Sequence, residues 1–211
     1  MANLEELYDQ TVQKSKKRKF EQSVDIIVTF DKNRVKAQSF NEVVYLPVKF
    51  RSPDEIVVIA GGETALQAKK QNIKLIEPDA LDRLASNKRE AKKLASKNYA
   101  FIAEASVMPR VGKALGPILA PRGKMPIAIP NAAALNAAFD RLLGSTRIRG
   151  KNVFGIQAKI GVESMKKEDI IKNAKALLEY LEKKLPPKSI SRVGFKLTMG
   201  EPAKAKYEEV A

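Results

Sequence analysis

Apolar and polar positions alternate with different periods along the chain, and the order of those periods predicts an architecture. In residues 4–15, Leu4, Leu7, Tyr8 and Val12 recur at helical spacing. Glu5 and Glu6 come early and Lys14 late, the order that suits a helix dipole. Residues 23–30 then alternate, with Val24, Ile26, Val28 and Phe30 pointing one way and Ser23, Asp25, Ile27 and Thr29 the other. That pattern predicts a strand with one wet face. A second strand is predicted over 42–48, closed by Pro47, and Arg51-Ser52-Pro53-Asp54 reads as a linker.

From there the texture changes. Ile56-Val57-Val58-Ile59-Ala60 is an unbroken apolar run, the mark of a strand buried on both faces. Gly61-Gly62 follows, then a helix through Lys70, a short strand over 73–76, a charged helix over 79–97 and an apolar strand over 99–103. A helix rich in Ala and Leu is predicted over 131–143, stopped by Gly144. Strands and helices alternating with short connections imply a small three-layer α/β unit. After Gly150 the wet-faced style returns: in 153–161, Phe154, Ile156, Ala158 and Ile160 alternate with Val153, Gly155, Gln157, Lys159 and Gly161. A helical stripe runs from Ile170 to Leu185, with Glu168 and Asp169 in its first turn, Lys183 and Lys184 in its last, and Pro186-Pro187 beyond. A final strand over 190–199 sets Val193, Phe195, Leu197 and Met199 against Arg192, Gly194, Lys196 and Thr198. The tail after Gly200 reads as poorly ordered. Both ends of the chain therefore look alike and the middle does not. The expected fold is a split α+β outer domain from residues 1–53 and 150–211, an antiparallel sheet with helices on one face, into which an α/β three-layer domain of residues 54–149 is inserted.

Charge narrows the function. The 211 residues hold 39 Lys plus Arg against 24 Asp plus Glu, a formal net charge of +15. A globular chain that basic meets a polyanion, because its field attracts phosphate-rich partners. The chain has no Cys and no His, which removes thiol and imidazole nucleophiles, Ser-His-Asp triads, disulfides and the usual zinc sites. No apolar stretch is long enough to span a membrane, and the first residues lack the pattern of a secretory signal, so a cytoplasmic location is expected.

The candidate active sites are weak. Gly61-Gly62 follows a strand and precedes a helix but lacks the third glycine of a dinucleotide loop, so a structural turn is the better reading. Gly123-Lys124 resembles the end of a phosphate-binding loop. However, six residues separate Gly116 from Gly123, too many for that loop, and Met125 stands where Ser or Thr would hold magnesium. With no carboxylate pair apart from helix-capping acids, an enzyme is not expected and no cofactor or metal is implied.

The basic features are stronger. Lys14-Ser15-Lys16-Lys17-Arg18-Lys19 puts five cations in six residues and leads through Phe20 into the first wet-faced strand. Alone, such a run is a solvated helix end. Here the polar strand faces carry Ser23 and Asp25, Gly155, Gln157 and Lys159, and Gly194, Lys196 and Thr198. Small residues let a ribose-phosphate backbone approach, Lys neutralises phosphate, and Ser, Thr and Gln reach the ribose 2′-OH. Nucleic-acid binding is therefore favoured over a bland solvated face. Lys88, Arg89, Lys92, Lys93 and Lys97, spaced along one helix, suit either solubility or polyanion contact.

Four segments together resemble a known family. They are Leu115-Gly116-Pro117-Ile118-Leu119-Ala120-Pro121-Arg122-Gly123-Lys124-Met125-Pro126, which reads as too broken for a helix or strand, Lys19-Phe20-Glu21-Gln22-Ser23-Val24-Asp25, Gly155-Ile156-Gln157-Ala158-Lys159-Ile160-Gly161, and Thr198-Met199-Gly200. Across nearly the whole chain and in order, they are similar to the ribosomal protein L-one family of the large-subunit side stalk, and most like its archaeal members. The resemblance implies a domain built from both chain ends that carries the main ribosomal RNA site, with a Rossmann-like domain inserted at a hinge. It implies binding to large-subunit ribosomal RNA at the mobile stalk and help in releasing exit-site tRNA. It also implies translational repression through the protein's own messenger RNA, and a monomer when off the ribosome. Carried over by motif, Lys19, Phe20 and Ser23 would edge the RNA surface, Gln157, Lys159 and Gly161 would lie on the adjoining strand, and Thr198, Met199 and Gly200 would form the core of the contact.

Overall fold

A computed structural model describes residues 4–209. Its elements in chain order are α1 (Leu4–Lys14), β1 (Ser23–Phe30), β2 (Gln38–Tyr45), β3 (Ile56–Ile59), α2 (Gly62–Lys70), β4 (Lys74–Ile76), α3 (Pro78–Ser86), α4 (Lys88–Lys97), β5 (Ala100–Glu104), α5 (Met108–Leu119), β6 (Ile127–Ile129), α6 (Ala133–Leu143), β7 (Ser145–Val153), β8 (Gly155–Val162), α7 (Lys167–Lys184), β9 (Ile190–Leu197) and β10 (Ala203–Lys206). Contacts divide the chain into two compact units, residues 1–50 with 144–211 and residues 51–143. The break expected at Gly150 falls inside β7, whose residues 145–149 pair with β2 in the first unit.

In the first unit β10, β9, β1 and β8 form an antiparallel sheet in that order. The alternation expected for β1 holds, with Val24, Ile26, Val28 and Phe30 buried and the odd positions half-exposed. The buried face packs against α1 and α7. Tyr8 meets Phe195 edge-on with ring centroids 5.9 Å apart, and the Thr11 hydroxyl donates to Leu7 O at 2.9 Å. Thr11 rather than Val12 completes the inward face of α1, since Val12 is exposed. Phe154 interrupts the strand predicted over 153–161, so β7 ends and β8 begins on either side of it. The tail that read as disordered instead forms β10: Ala203 is buried opposite Phe195, which anchors the strand to β9. β2 starts earlier than predicted and stops at Tyr45, because Pro47 has no N–H for the ladder.

A buried amide ties the end of β2 to this core. Asn173 interrupts the apolar stripe of α7 and is fully buried. Its Oδ1 accepts from Val48 N at 2.9 Å, and its Nδ2 donates to Val48 O at 3.1 Å and Ile160 O at 2.8 Å. Beside it, Leu46 N donates to Gly144 O at 2.7 Å, and a Cβ on Gly144 would lie 2.8 Å from Leu46 O. Gly144 thus serves a close backbone approach as well as ending α6.

The second unit is a parallel sheet in the order β4, β3, β5, β6. Val57, Ile59, Phe101 and Ala103 pack against α3, α4 and α5, while Ile56, Val58 and Ile102 pack against α2 and α6. This is why the β3 run is apolar at every position. The helix predicted over 79–97 is two, because Asn87 leaves the helical conformation and its Oδ1 accepts from Glu90 N at 3.2 Å, capping α4. Residues 115–119, expected to be irregular, belong to α5. Val111, Leu115 and Leu119 form a buried stripe strong enough to carry Pro117, whose ring removes a single helical hydrogen bond. The loop after α5 clasps α4: Arg122 donates to Ser96 Oγ at 2.6 Å and Lys124 to Ala95 O at 2.8 Å and Asn98 O at 2.6 Å. Burial, reinforced by the charges of Arg122 and Arg51, pushes the Lys124 pKa down.

Asn173→Leu keeps the volume of the side chain but strands Val48 N, Val48 O and Ile160 O. Stranding a buried polar group costs about 1–3 kcal/mol. A lower urea midpoint with an unchanged slope is the expected outcome, and an unchanged midpoint would show that the amide is not needed.

Candidate nucleic-acid interface

Three strands and a loop converge at one end of the antiparallel sheet, and a polar residue at an inward position joins them. Gln22 continues the inward parity of Val24 and Ile26 and is 1% exposed. Its Oε1 accepts from Met199 N at 3.2 Å, and its Nε2 donates to Lys16 O and Glu163 Oε2, both at 3.4 Å. Its backbone O accepts from Glu163 N at 2.9 Å. One amide therefore joins the basic loop after α1, the turn after β9 and the end of β8. In the sequence, the signal that marks Gln22 is a polar residue in phase with buried ones. Glu21 and Ser164 add a further link through the Ser164 hydroxyl.

The rim itself is closed by Ser23 and Thr198. Ser23 N donates to Thr198 Oγ1 at 2.9 Å, Thr198 Oγ1 donates to Ser23 O at 3.3 Å, and Thr198 N donates to the same carbonyl at 3.1 Å. The hydroxyl's proton is thus committed, and what it offers a ligand is its remaining lone pair. Met199, expected on the inward face of β9, lies past the strand's end and is 60% exposed. Phe20 is 52% exposed, and Lys16, Lys17, Arg18 and Lys19 before it are all exposed. Gly200 lies close against Ser15, since a Cβ there would lie 2.7 Å from Ser15 Oγ and 3.1 Å from Ser15 Cβ. The rim therefore presents an aromatic ring, a thioether and a cluster of cations on a rigid polar frame. Such a surface can stack an unpaired base, neutralise phosphate and accept from a ribose hydroxyl.

Among the sequence-predicted residues, Ser23, Thr198, Met199 and Gly200 come together at this end, with Lys19 and Phe20 on the loop leading into it. Gln157 and Lys159 lie further down β8 on the open face, where Gln157 Nε2 donates to Asp25 Oδ2 at 3.0 Å and Lys159 stands opposite Asp25. Gly161 does not share that face. A bulge between Val24 and Asp25 shifts the register, and a Cβ on Gly161 would point at Ile170 Cγ1, 3.1 Å away, and Met165 Sδ, 3.3 Å away. Its glycine serves packing under α7.

The second unit has the topology of an α/β ligand-binding sheet. The sheet order reverses between β3 and β5, where open α/β sheets bind ligands. Gly62 has φ +50° and opens α2, but the preceding Gly61 N donates to Glu104 Oε2 at 3.4 Å. The Glu104 carboxylate thus lies against the turn before α2, where its charge disfavours a phosphate. Among the described residues, no group of three or more acidic, His or Cys side chains is placed to hold a metal ion. No described helix is long and apolar enough to cross a membrane.

Gly200→Ala should lower the unfolding midpoint by pushing against Ser15. In a Ser15→Ala background the penalty should shrink, since the hydroxyl is the nearer atom. Equal penalties in both backgrounds, read from a double-mutant cycle, would remove Ser15 as the reason for the glycine.

Known proteins match this chain along nearly its whole length. Residues 12–201 match the ribosomal protein L1p/L10e family. A Thermofilum pendens protein named large ribosomal subunit protein uL1 is 42% identical over 212 residues, covering 98% of this chain and 93% of the relative. Proteins of the same name from Aeropyrum pernix and Archaeoglobus fulgidus are 34% and 39% identical, covering 96% and 91% of this chain and 94% and 92% of theirs. By this similarity, which spans both units and the whole rim up to Gly200, the chain belongs to the ribosomal protein L1p/L10e family.

Proposed function

We propose that the protein is a component of the large ribosomal subunit that binds ribosomal RNA of the side stalk through the rim made by residues 16–23 and 198–200. The observation that carries this reading is the Gln22-centred frame, which fixes exposed Phe20, Met199 and Lys16–Lys19 around the Thr198–Ser23 link. The relatives' names support it: they are ribosomal proteins and not enzymes. Residues 1–50 with 144–211 act as the RNA-binding domain, and 51–143 as an inserted, Rossmann-like domain. On the ribosome, in the cytoplasm, the protein assists release of exit-site tRNA. Off the ribosome it is a monomer that represses translation by binding its own messenger RNA at the same rim.

Binding of a stalk fragment of large-subunit ribosomal RNA should weaken with salt along a log–log slope of about −4 to −5, as for roughly six phosphate contacts. At every salt concentration it should exceed binding of a scrambled RNA of equal length. Equal affinities would mean a generic basic binder.

Thr198→Val removes both the acceptor offered to RNA and the link to Ser23. Affinity for the stalk and messenger RNAs should fall by similar factors, about tenfold for a lost hydrogen bond of roughly 1.4 kcal/mol. The two RNAs should also compete, and a ternary complex would exclude a shared surface.

A further inference from the structure

The parallel sheet of the second unit ends on an open strand, and a cleft lies along it. β4 is that edge, with no strand beyond it among the described residues. The cleft measures 420 Å³, and its floor is Leu75, Ile76, Ala80, Leu84 and Leu94. Leu84 is buried, and the other four are half-buried. Leu75 packs on the α2 side of the sheet and Ile76 on the α3 side, so the cleft wraps around the strand's edge. We infer that this edge docks an acidic protein segment, which seats an apolar side chain in the cleft and sets its carboxylates against α4.

The charges beside the cleft decide the sign of the partner. Elsewhere in the unit Arg51 is matched to Glu55, Lys69 to Glu77, Lys74 to Asp54 and Arg110 to Asp82. Among the described residues, no acid pairs with Arg83 at the lip of the cleft, nor with Lys88, Arg89, Lys92, Lys93 or Lys97 on α4, and all of these cations are exposed. Glu90, the one acid of α4, accepts instead from Asn87 Nδ2 at 3.3 Å. Residues three apart on a helix are neighbours, so Lys97 stands beside Leu94 and Lys93 beside Glu90.

This arrangement works against the helix that carries it. Lys88 and Lys92, Arg89 and Lys93, and Lys93 and Lys97 are like charges four apart, which repel. Lys88 and Arg89 also open the helix, where its dipole favours acids. By contrast, α1, α2, α3 and α7 open on acids and end on bases. Sequences break such local rules at functional sites. Half-buried leucine and isoleucine beside a free strand edge offer little to a sugar-phosphate backbone. They suit an extended peptide, whose backbone can pair with the edge while an apolar side chain fills the cleft. The surrounding cations select an acidic one.

Two synthetic peptides test this on the full chain by fluorescence anisotropy: an acidic peptide with one central leucine, and the same peptide with alanine there. The leucine peptide should bind, and the alanine peptide about tenfold more weakly, as for loss of a buried leucine side chain. Ala80→Gln, which fills the cleft from the half-buried face of α3, should remove that difference. Arg89→Gln/Lys93→Gln/Lys97→Gln should weaken both peptides without lowering the melting temperature. Lys172→Gln/Lys175→Gln/Lys183→Gln, an equal loss of charge on α7 in the first unit, should leave peptide binding unchanged. No binding by either peptide, equal binding of the two, or an equal loss in the α7 variant would overturn the inference. So would a matching fall in the α4 variant's affinity for the stalk ribosomal RNA fragment, which would make α4 part of the RNA surface.

Discussion

One buried amide joins the basic loop, the turn after β9 and the end of β8, beside the Ser23–Thr198 hydrogen bonds that close the rim. Gln22 sits where the sheet's inward parity calls for an apolar residue, and there its amide cannot reach water. A buried amide left unpaired costs about 1–3 kcal/mol, so the chain around it is constrained to bring Met199 N, Lys16 O and Glu163 within reach. That constraint positions the basic loop beside the turn after β9, although the two are far apart in sequence. Phe20 and Met199 both remain exposed there. The rim is preorganised, and an RNA that met it would lose little affinity to ordering the protein.

Much of the first unit was legible in the sequence, because one-sided burial leaves a period. The strict alternation of β1 and the stripe of α7 named their inward residues correctly. The errors fall where a local signal competes with a tertiary contact. Pro117 and the glycines around it concealed the Val111, Leu115 and Leu119 stripe of α5. Lys204 and Lys206, alternating with small alanines, gave β10 the polarity of a loose tail, yet pairing with β9 makes them one face of a strand. The bulge at Val24 and Asp25 could not be read from alternation, and it turned Gly161 from the open face into the packing under α7.

The candidate site is legible in its exposed members and illegible in its frame. Lys19, Phe20, Ser23, Thr198 and Met199 stood out by type and by motif. Gln22 and Glu163, which hold them, are ordinary polar residues whose roles appear only once the strands are paired. The second unit teaches the converse. Its Gly61-Gly62 turn lies at the switch point of the sheet, but Gly61 N donates to the Glu104 carboxylate there, so the topology of a nucleotide site is present without its electrostatics.

Recognition of RNA at the Gln22-supported rim is the proposal on which the rest depends. Ultraviolet cross-linking of the protein to whole-cell RNA, with both the peptides and the RNA fragments identified, tests it most directly. Cross-links are expected at Phe20 and within 198–200, joined to fragments from one segment of large-subunit ribosomal RNA. Cross-links confined to residues 51–143, or fragments scattered over unrelated transcripts, would contradict it.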